Sequence, residues 1–290
     1  MVTIGEMMIL SSLRKLCLSA ILSALFASAS WAQDLPPLQK DIAFRTVGDV
    51  TLKLDAFVPE GKGPFPTCIL VHGGGFVNGT KQHYITPLFA TLSKAGFTWF
   101  TIDYRLAPAH RWPACADDVT AAVRWVREHA AEYKVDVNQI ALIGESAGGH
   151  LVSWVGARND ADKLGLAAVV PIYAPHDLEY RARQSKMLGK NIGALLDVQE
   201  LNDEAWTKLR QASVTTKLPG NLPPYLLIHG TKDEQVAYEQ STRFQEQMKS
   251  KGNRCDLITI EGGGHGMGGW DKLGSDYRQQ LVAWLQKTLR

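Results

Sequence analysis

Gln139-Ile140-Ala141-Leu142-Ile143-Gly144-Glu145-Ser146-Ala147-Gly148-Gly149 is the stretch that decides the fold of this chain. Residues 139–143 form a short apolar run suited to a buried strand. Gly144-Glu145-Ser146-Ala147-Gly148 fits G-x-S-x-G, and residues 151–155 continue as a helix. A sharp strand-to-helix turn holds a serine above a sheet in a strained conformation. Small residues two before and two after the serine let neighbouring backbone pack close. A bare G-x-S-x-G says little, because serine and glycine are common. The strand before it and the helix after it give the motif weight over a plain serine in a tight turn.

Working outward, a second glycine cluster follows another apolar run. Residues 67–71 lead into His72-Gly73-Gly74-Gly75-Phe76. Acyl transfer builds negative charge on a carbonyl oxygen, and backbone N–H groups aimed at that oxygen stabilise it. Gly74, Gly75 and Ala147 are the expected donors, and His72 reads as a brace for the loop. A serine hydroxyl also needs a base, and the base needs an acid that orients it. Asp233 lies just past the strand-like run 225–229, in His229-Gly230-Thr231-Lys232-Asp233. His265 lies just past the run 256–260, in Gly262-Gly263-Gly264-His265-Gly266. Ser146, Asp233 and His265 therefore stand in the order Ser, Asp, His, each at a strand end. Glu234 is the nearest rival to Asp233, and Asp177 a weaker one. His83, His110, His129 and His176 lack a strand-end setting and read as surface or packing residues. Phe76, Glu145 and Trp270 are expected to border the substrate, Trp270 as an aromatic wall five residues after His265.

The rest of the chain supports a layered α/β architecture. Residues 42–47 and 50–58 alternate around Gly48-Asp49, a hairpin signal. Strand-like runs at 97–102 and 167–173 join those already named. Val119, Ala122, Val123 and Val126 mark an amphipathic helix, residues 87–95 have helical spacing, and Leu281, Trp284 and Leu285 mark another at the C-terminus. Such alternation predicts a mostly parallel sheet covered by helices on both faces, with an antiparallel hairpin at one edge. Ligands of such sheets sit outside the carboxyl ends of the strands. Residues 175–222 are more polar and weakly periodic, and read as a small helical cap inserted between strands.

His72-Gly73-Gly74-Gly75, Asp103-Tyr104-Arg105-Leu106-Ala107-Pro108, Gly144-Glu145-Ser146-Ala147-Gly148-Gly149 and the pair Asp233 and His265 resemble the hormone-sensitive-lipase-like esterases and the related bacterial feruloyl-esterase-like group. The resemblance covers about residues 45–289. Four motifs in order make it specific for an α/β-hydrolase fold and its nucleophile, though not for a substrate. It implies hydrolysis of short acyl or aryl carboxylic esters, acetyl or feruloyl esters of plant cell-wall carbohydrate among them, with no metal or organic cofactor. The segment before residue 33 reads mostly as an export signal in place of a long N-terminal helical cap, which leans toward the feruloyl-esterase-like group.

Composition narrows the remaining classes. The chain has 290 residues, 45% of them hydrophobic, and a formal net charge of +2. That supports one sizeable core and gives no electrostatic case for nucleic acid or an anionic membrane as partner. Arg14 and Lys15, the apolar run 16–29 and Ser30-Trp31-Ala32 have the layout of a secretory signal cleaved after Ala32. A membrane anchor is the alternative, but the run is short for a span of about 20 residues. The expected organisation is therefore a signal over 1–32 and a hydrolase domain over 33–290, secreted or periplasmic, with no membrane contact once the signal is removed. Cys68, Cys115 and Cys255 would remain, an odd number that leaves at least one free thiol. No close Cys/His spacing suggests zinc. The expected partner is a small ester or esterified carbohydrate as substrate. Competing classes are an arylformamidase or serine-peptidase-like amide hydrolase, which the same residues would serve, and an inactive α/β-hydrolase used for binding.

Overall fold

The computed structural model describes residues 38–290. The expected signal, residues 1–32, lies outside them. Among the described residues eight strands form one sheet: β1 (Gln39–Val47), β2 (Val50–Phe57), β3 (Phe65–Val71), β4 (Thr98–Ile102), β5 (Val135–Glu145), β6 (Ala168–Ile172), β7 (Tyr225–Gly230) and β8 (Cys255–Ile260). Their order is β1-β2-β4-β3-β5-β6-β7-β8. β1 pairs antiparallel with β2, and β2 antiparallel with β4. All the other pairs are parallel.

This order positions the site. The chain steps from β3 out to β4 and then back across β3 to β5. The connections leaving β3 and β5 therefore diverge, and a crevice opens at the carboxyl ends of these neighbouring strands. Val71, the last residue of β3, pairs with Gly144 near the end of β5. That register brings the His72 loop and the Ser146 turn side by side.

The helices are α1 (Phe89–Lys94), α2 (Ala114–Glu128), α3 (Ala147–Ala157), α4 (Leu178–Ser185), α5 (Lys190–Leu196), α6 (Asp203–Ala212), α7 (Glu239–Ser250) and α8 (Tyr277–Thr288). Strand residues alternate between the faces of a sheet, and here both faces are buried. Ile69, Val71, Ile140, Leu142, Val169 and Leu227 pack on one side with Val119 and Val123 of α2, Leu151 of α3 and Phe244 of α7. Leu70, Ile143, Val170 and Ile228 pack on the other with Leu92 of α1 and Leu281 and Leu285 of α8. Each side chain so buried contributes about 1.5–3 kcal/mol relative to an exposed one.

The segment 175–222 folds as three helices, α4 to α6, and a short 3-10 turn, Val214–Lys217. The Asp177 carboxylate accepts the Tyr180 N–H at 2.8 Å, and the Asn202 side chain accepts the Ala205 N–H at 2.9 Å, so each starts a helix. Leu178, Ala182, Ile192, Leu195, Leu196, Ala205, Leu209 and Ala212 are buried in the same core as α2 and α3. The segment is thus welded to the sheet's cover on its apolar side. Among the described residues no helix is long and apolar enough to cross a membrane.

Candidate active site

Ser146 sits between β5 and α3 with φ 52° and ψ −116°, a conformation that costs a non-glycine residue free energy. The surroundings hold it there. Its N–H donates to the Ile172 carbonyl at 2.9 Å, which ties the turn to β6. A Cβ on Gly144 would lie 2.3 Å from the Gly148 carbonyl oxygen, and one on Gly148 would lie 2.3 Å from that of Val71. Only glycine lets the backbone approach this closely on both sides of the serine.

Ser146 Oγ is 3.0 Å from His265 Nε2, and His265 Nδ1 is 2.7 Å from Asp233 Oδ2. A carboxylate only accepts, so Nδ1–H donates to it and Nε2 is left to accept the serine hydroxyl. Asp233 Oδ1 accepts the N–H groups of Gln235 at 2.9 Å and Val236 at 2.8 Å. His229 Nε2 lies 3.3 Å from Oδ2. Burial raises the Asp233 carboxyl, but the hydrogen bonds from His229, His265 and the Val236 N–H outweigh it and hold the group below the usual carboxylate range. His229 is itself fixed: Nε2 donates to the Val236 carbonyl at 2.9 Å, so Nδ1 accepts the Ser241 hydroxyl at 2.7 Å. Glu234, the alternative acid, is exposed on the surface, and Asp177 is occupied with the start of α4.

The loop after β3 is braced from below. The His72 ring stacks on Tyr104 with centroids 4.3 Å apart, and the Tyr104 hydroxyl donates to the carbonyls of His72 at 3.0 Å and Gly73 at 3.1 Å. Burial lowers the His72 imidazole to about 4, so it stays neutral. The Gly73 N–H donates to the Glu145 carboxylate. Gly74 and Gly75 have φ 99° and 61°. Among the described residues no acceptor takes the N–H of Gly74, Gly75 or Ala147, and all three residues line the cavity that holds Ser146 and His265.

The three residues expected to border substrate separate. Phe76 is at the cavity, but its buried ring packs edge-on to His150 with centroids 5.5 Å apart. Glu145 also reaches the cavity wall, yet its carboxylate is engaged by Gly73 and Tyr173, and burial pushes it up to about 7 against the pull of those bonds. It positions backbone and is not free to hold substrate. Trp270 is a correction: it is 1% exposed and does not line the cavity. The 3-10 turn Met267–Leu273 drives its ring inward. There its Nε1–H donates to the Gly264 carbonyl at 3.0 Å, and the ring meets Tyr173 and Tyr277 edge-on. The tryptophan supports the His265 loop from behind.

Tyr173, Tyr104 and His229 were not singled out in the sequence. Tyr173 directly follows β6, and its ring meets His265 edge-on with centroids 4.7 Å apart. Its strand-end position was the one available signal, and the same holds for His229 in β7. Among the described residues no group of three or more His, Cys, Asp or Glu side chains is placed to hold a metal ion.

A parallel sheet with a strained serine at a strand-to-helix turn, a hydrogen-bonded Ser-His-Asp relay and a glycine loop beside it defines an α/β-hydrolase. The sequence profile of the BD-FAE family matches residues 54–248, and the chain belongs to that family. It is 32% identical over 214 residues to esterase LipC of Mycobacterium tuberculosis, covering 70% of this chain and 53% of LipC. It is 27% identical over 261 residues to ethyl acetate hydrolase of Pseudomonas putida, covering 84% and 79%. The chain spans about half the length of LipC and of two further mycobacterial relatives, LipM and LipQ. Among solved structures, a truncated carbohydrate esterase from gut microbiota superposes with a TM-score of 0.77 at 23% identity, covering 88% of this chain and 97% of that one. Propionate-bound esterase Est2 of Thermogutta terrifontis superposes with a TM-score of 0.69 at 25% identity, covering 87% and 94%.

Proposed function

We propose that the chain is a serine carboxylic-ester hydrolase that works through an acyl-enzyme. One observation carries this reading: Ser146, His265 and Asp233 form an unbroken hydrogen-bonded relay beside backbone N–H groups that have no other acceptor. His265 Nε2 takes the Ser146 proton as Oγ attacks the ester carbonyl. The oxygen that gains charge is received by the N–H groups of Gly74, Gly75 and Ala147. The imidazolium formed is stabilised by Asp233 and returns its proton to the departing alcohol. Water then attacks the acyl-serine with His265 again as base, which frees the acid and restores the hydroxyl. An inactive binding module would have no need of this relay.

The finer reading is hydrolysis of short acyl or aryl esters, of acetyl or feruloyl type, on carbohydrate outside the cytoplasm. The cavity of about 800 Å³ is of a size for a small ligand. Among the described residues the large exposed hydrophobics are Tyr84, Met187 and Leu273. They offer no wide apolar face for a lipid surface. Arg183, Lys186, Glu200, Asp203 and Glu204 stand exposed on the inserted segment and break up any such face. The names of ethyl acetate hydrolase and of the gut carbohydrate esterase support a short acyl group and a carbohydrate, and the export-like layout of residues 1–32 supports a substrate outside the cytoplasm. The test is a panel of p-nitrophenyl esters of rising chain length, run beside methyl ferulate and acetylated xylan. Activity should peak at acetyl to butyryl or on aryl esters and fall steeply by octanoyl. A peak at decanoyl or longer, with activation at an oil interface, would reject it.

A further inference from the structure

The inserted segment brings cations to the cavity. Arg181 on α4 lines it, as do Lys190 and Asn191 at the start of α5. A guanidinium carries five N–H donors, and the Arg181 side chain uses one, donating from Nη2 to the Gln235 carbonyl at 3.0 Å. Among the described residues no Asp or Glu comes within ion-pairing distance of either cation. Elsewhere in the insertion Arg183 and Arg210 both pair with Glu179, and Lys208 pairs with Glu204, while the other unpaired cations, Lys186 and Lys217, do not line the cavity. Arg181 is also partly desolvated, and the anion whose charge acts on it, Asp233, is already occupied by His265 and two backbone N–H groups. Among the described residues the one carboxyl on the cavity wall, Glu145, is engaged by Gly73 and Tyr173.

We infer that this cavity selects esters that carry a carboxylate, held by the free face of the Arg181 guanidinium with Lys190 adding to the attraction. The inference rests on the ester-hydrolase reading above and names its substrate class. A guanidinium meets a carboxylate through two parallel N–H bonds, and a partly dry site strengthens them. Arg181 is a binding residue that discriminates between substrates and takes no part in proton transfer. The carboxylate could belong to the acyl group, as in a half-ester of a dicarboxylic acid, or to the alcohol, as in an acylated uronic acid.

Two matched pairs of substrates separate these sources. On the acyl side, mono-4-nitrophenyl glutarate is compared with 4-nitrophenyl pentanoate. On the alcohol side, acetylated galacturonic acid is compared with acetylated galactose. The expected result is a preference for the anionic member of at least one pair, expressed in kcat/KM and chiefly through KM. That preference should weaken as salt is raised from low to near 0.5 M. In Arg181→Gln, which keeps a donor for the Gln235 carbonyl, the anionic-to-neutral ratio should fall about 10-fold or more. Lys190→Ser should lower it less, and gives an independent reading if Arg181→Gln fails to fold. Equal kcat/KM within both pairs in the wild type overturns the inference, as does a ratio that neither substitution moves. In both cases hydrolysis of the neutral esters would leave the ester-hydrolase reading standing. Absence of hydrolysis of all four esters would overturn both.

Discussion

Among single residues, Asp233 sets the orientation of His265. Its carboxylate accepts from His265 and two backbone N–H groups, whereas Glu234 points to solvent. Asp233→Asn should leave His265 without its orienting anion and lower kcat about 10³–10⁴-fold. Glu234→Gln should stay within about twofold, and steady-state kinetics on one p-nitrophenyl ester checks both. Glu145 gives a second prediction. Burial holds its folded-state pKa at about 7, above the 4.5 of a free glutamate. The folded protein therefore binds a proton that the unfolded chain has already lost, so this group's contribution to stability falls as pH rises from about 4.5 through 7. Glu145→Gln removes the titration. Its melting temperature relative to wild type should rise between pH 5 and pH 8, by on the order of a few degrees. A constant difference would show that Glu145 keeps an ordinary pKa. The sequence marked Ser146, Asp233 and His265 because each follows an apolar strand-like run. It did not mark what lies beneath them. The bond from Gly73 to Glu145, the Tyr104 brace and the His229 support join residues 72, 31 and 4 positions apart. Spacing along the chain does not reveal contacts of that kind.

At the scale of elements, the strand-to-helix turn depends on glycine at position 148. Gly148→Ala should cost on the order of 1–3 kcal/mol, because its methyl would strike the backbone of β3. Gly269→Ala, where nothing lies within 4 Å of the added atom, should change stability by less than about 0.5 kcal/mol. Urea unfolding followed by circular dichroism compares them. Most strands were legible, since a sheet buried on both faces needs continuous apolar runs. β5 begins at Val135, before the apolar run at residue 139, because Asp136, Asn138 and Gln139 sit in its first half. α7 was not foreseen. Among its residues Phe244 and Met248 are the large buried hydrophobics, and Gln240 and Ser241 complete the buried face, so the apolar period is too sparse to read. The segment 175–222 was legible as a small helical insertion, but not the bounds of its three helices or how they dock. Its buried positions are single residues among charges, and many are alanine.

For the whole molecule, stability should come from the two apolar layers on either side of the sheet and not from cross-links. Cys68 in β3 and Cys255 in β8 are four strand positions apart in the sheet. At about 4.8 Å per strand that is roughly 19 Å, far beyond the ~7 Å Cα limit for a disulfide. Cys115 lies buried in α2, and burial pushes its thiol up to about 12, which leaves little thiolate to react. Dithiothreitol should therefore leave the melting temperature unchanged; a fall of more than a few degrees would mean that a pair forms. The same sheet gathers residues 74, 146, 233 and 265 at one end, and the proposed hydrolysis requires Ser146 to be the nucleophile there. A fluorophosphonate tests that most directly, since a serine activated by its base displaces fluoride and keeps the phosphonyl group. Intact mass and peptide mapping should show one adduct, on Ser146, formed in step with loss of ester hydrolysis. Ser146→Ala should be folded, unlabelled and inactive. Hydrolysis by Ser146→Ala near the wild-type rate, or an inactivating adduct on another residue, would contradict the account.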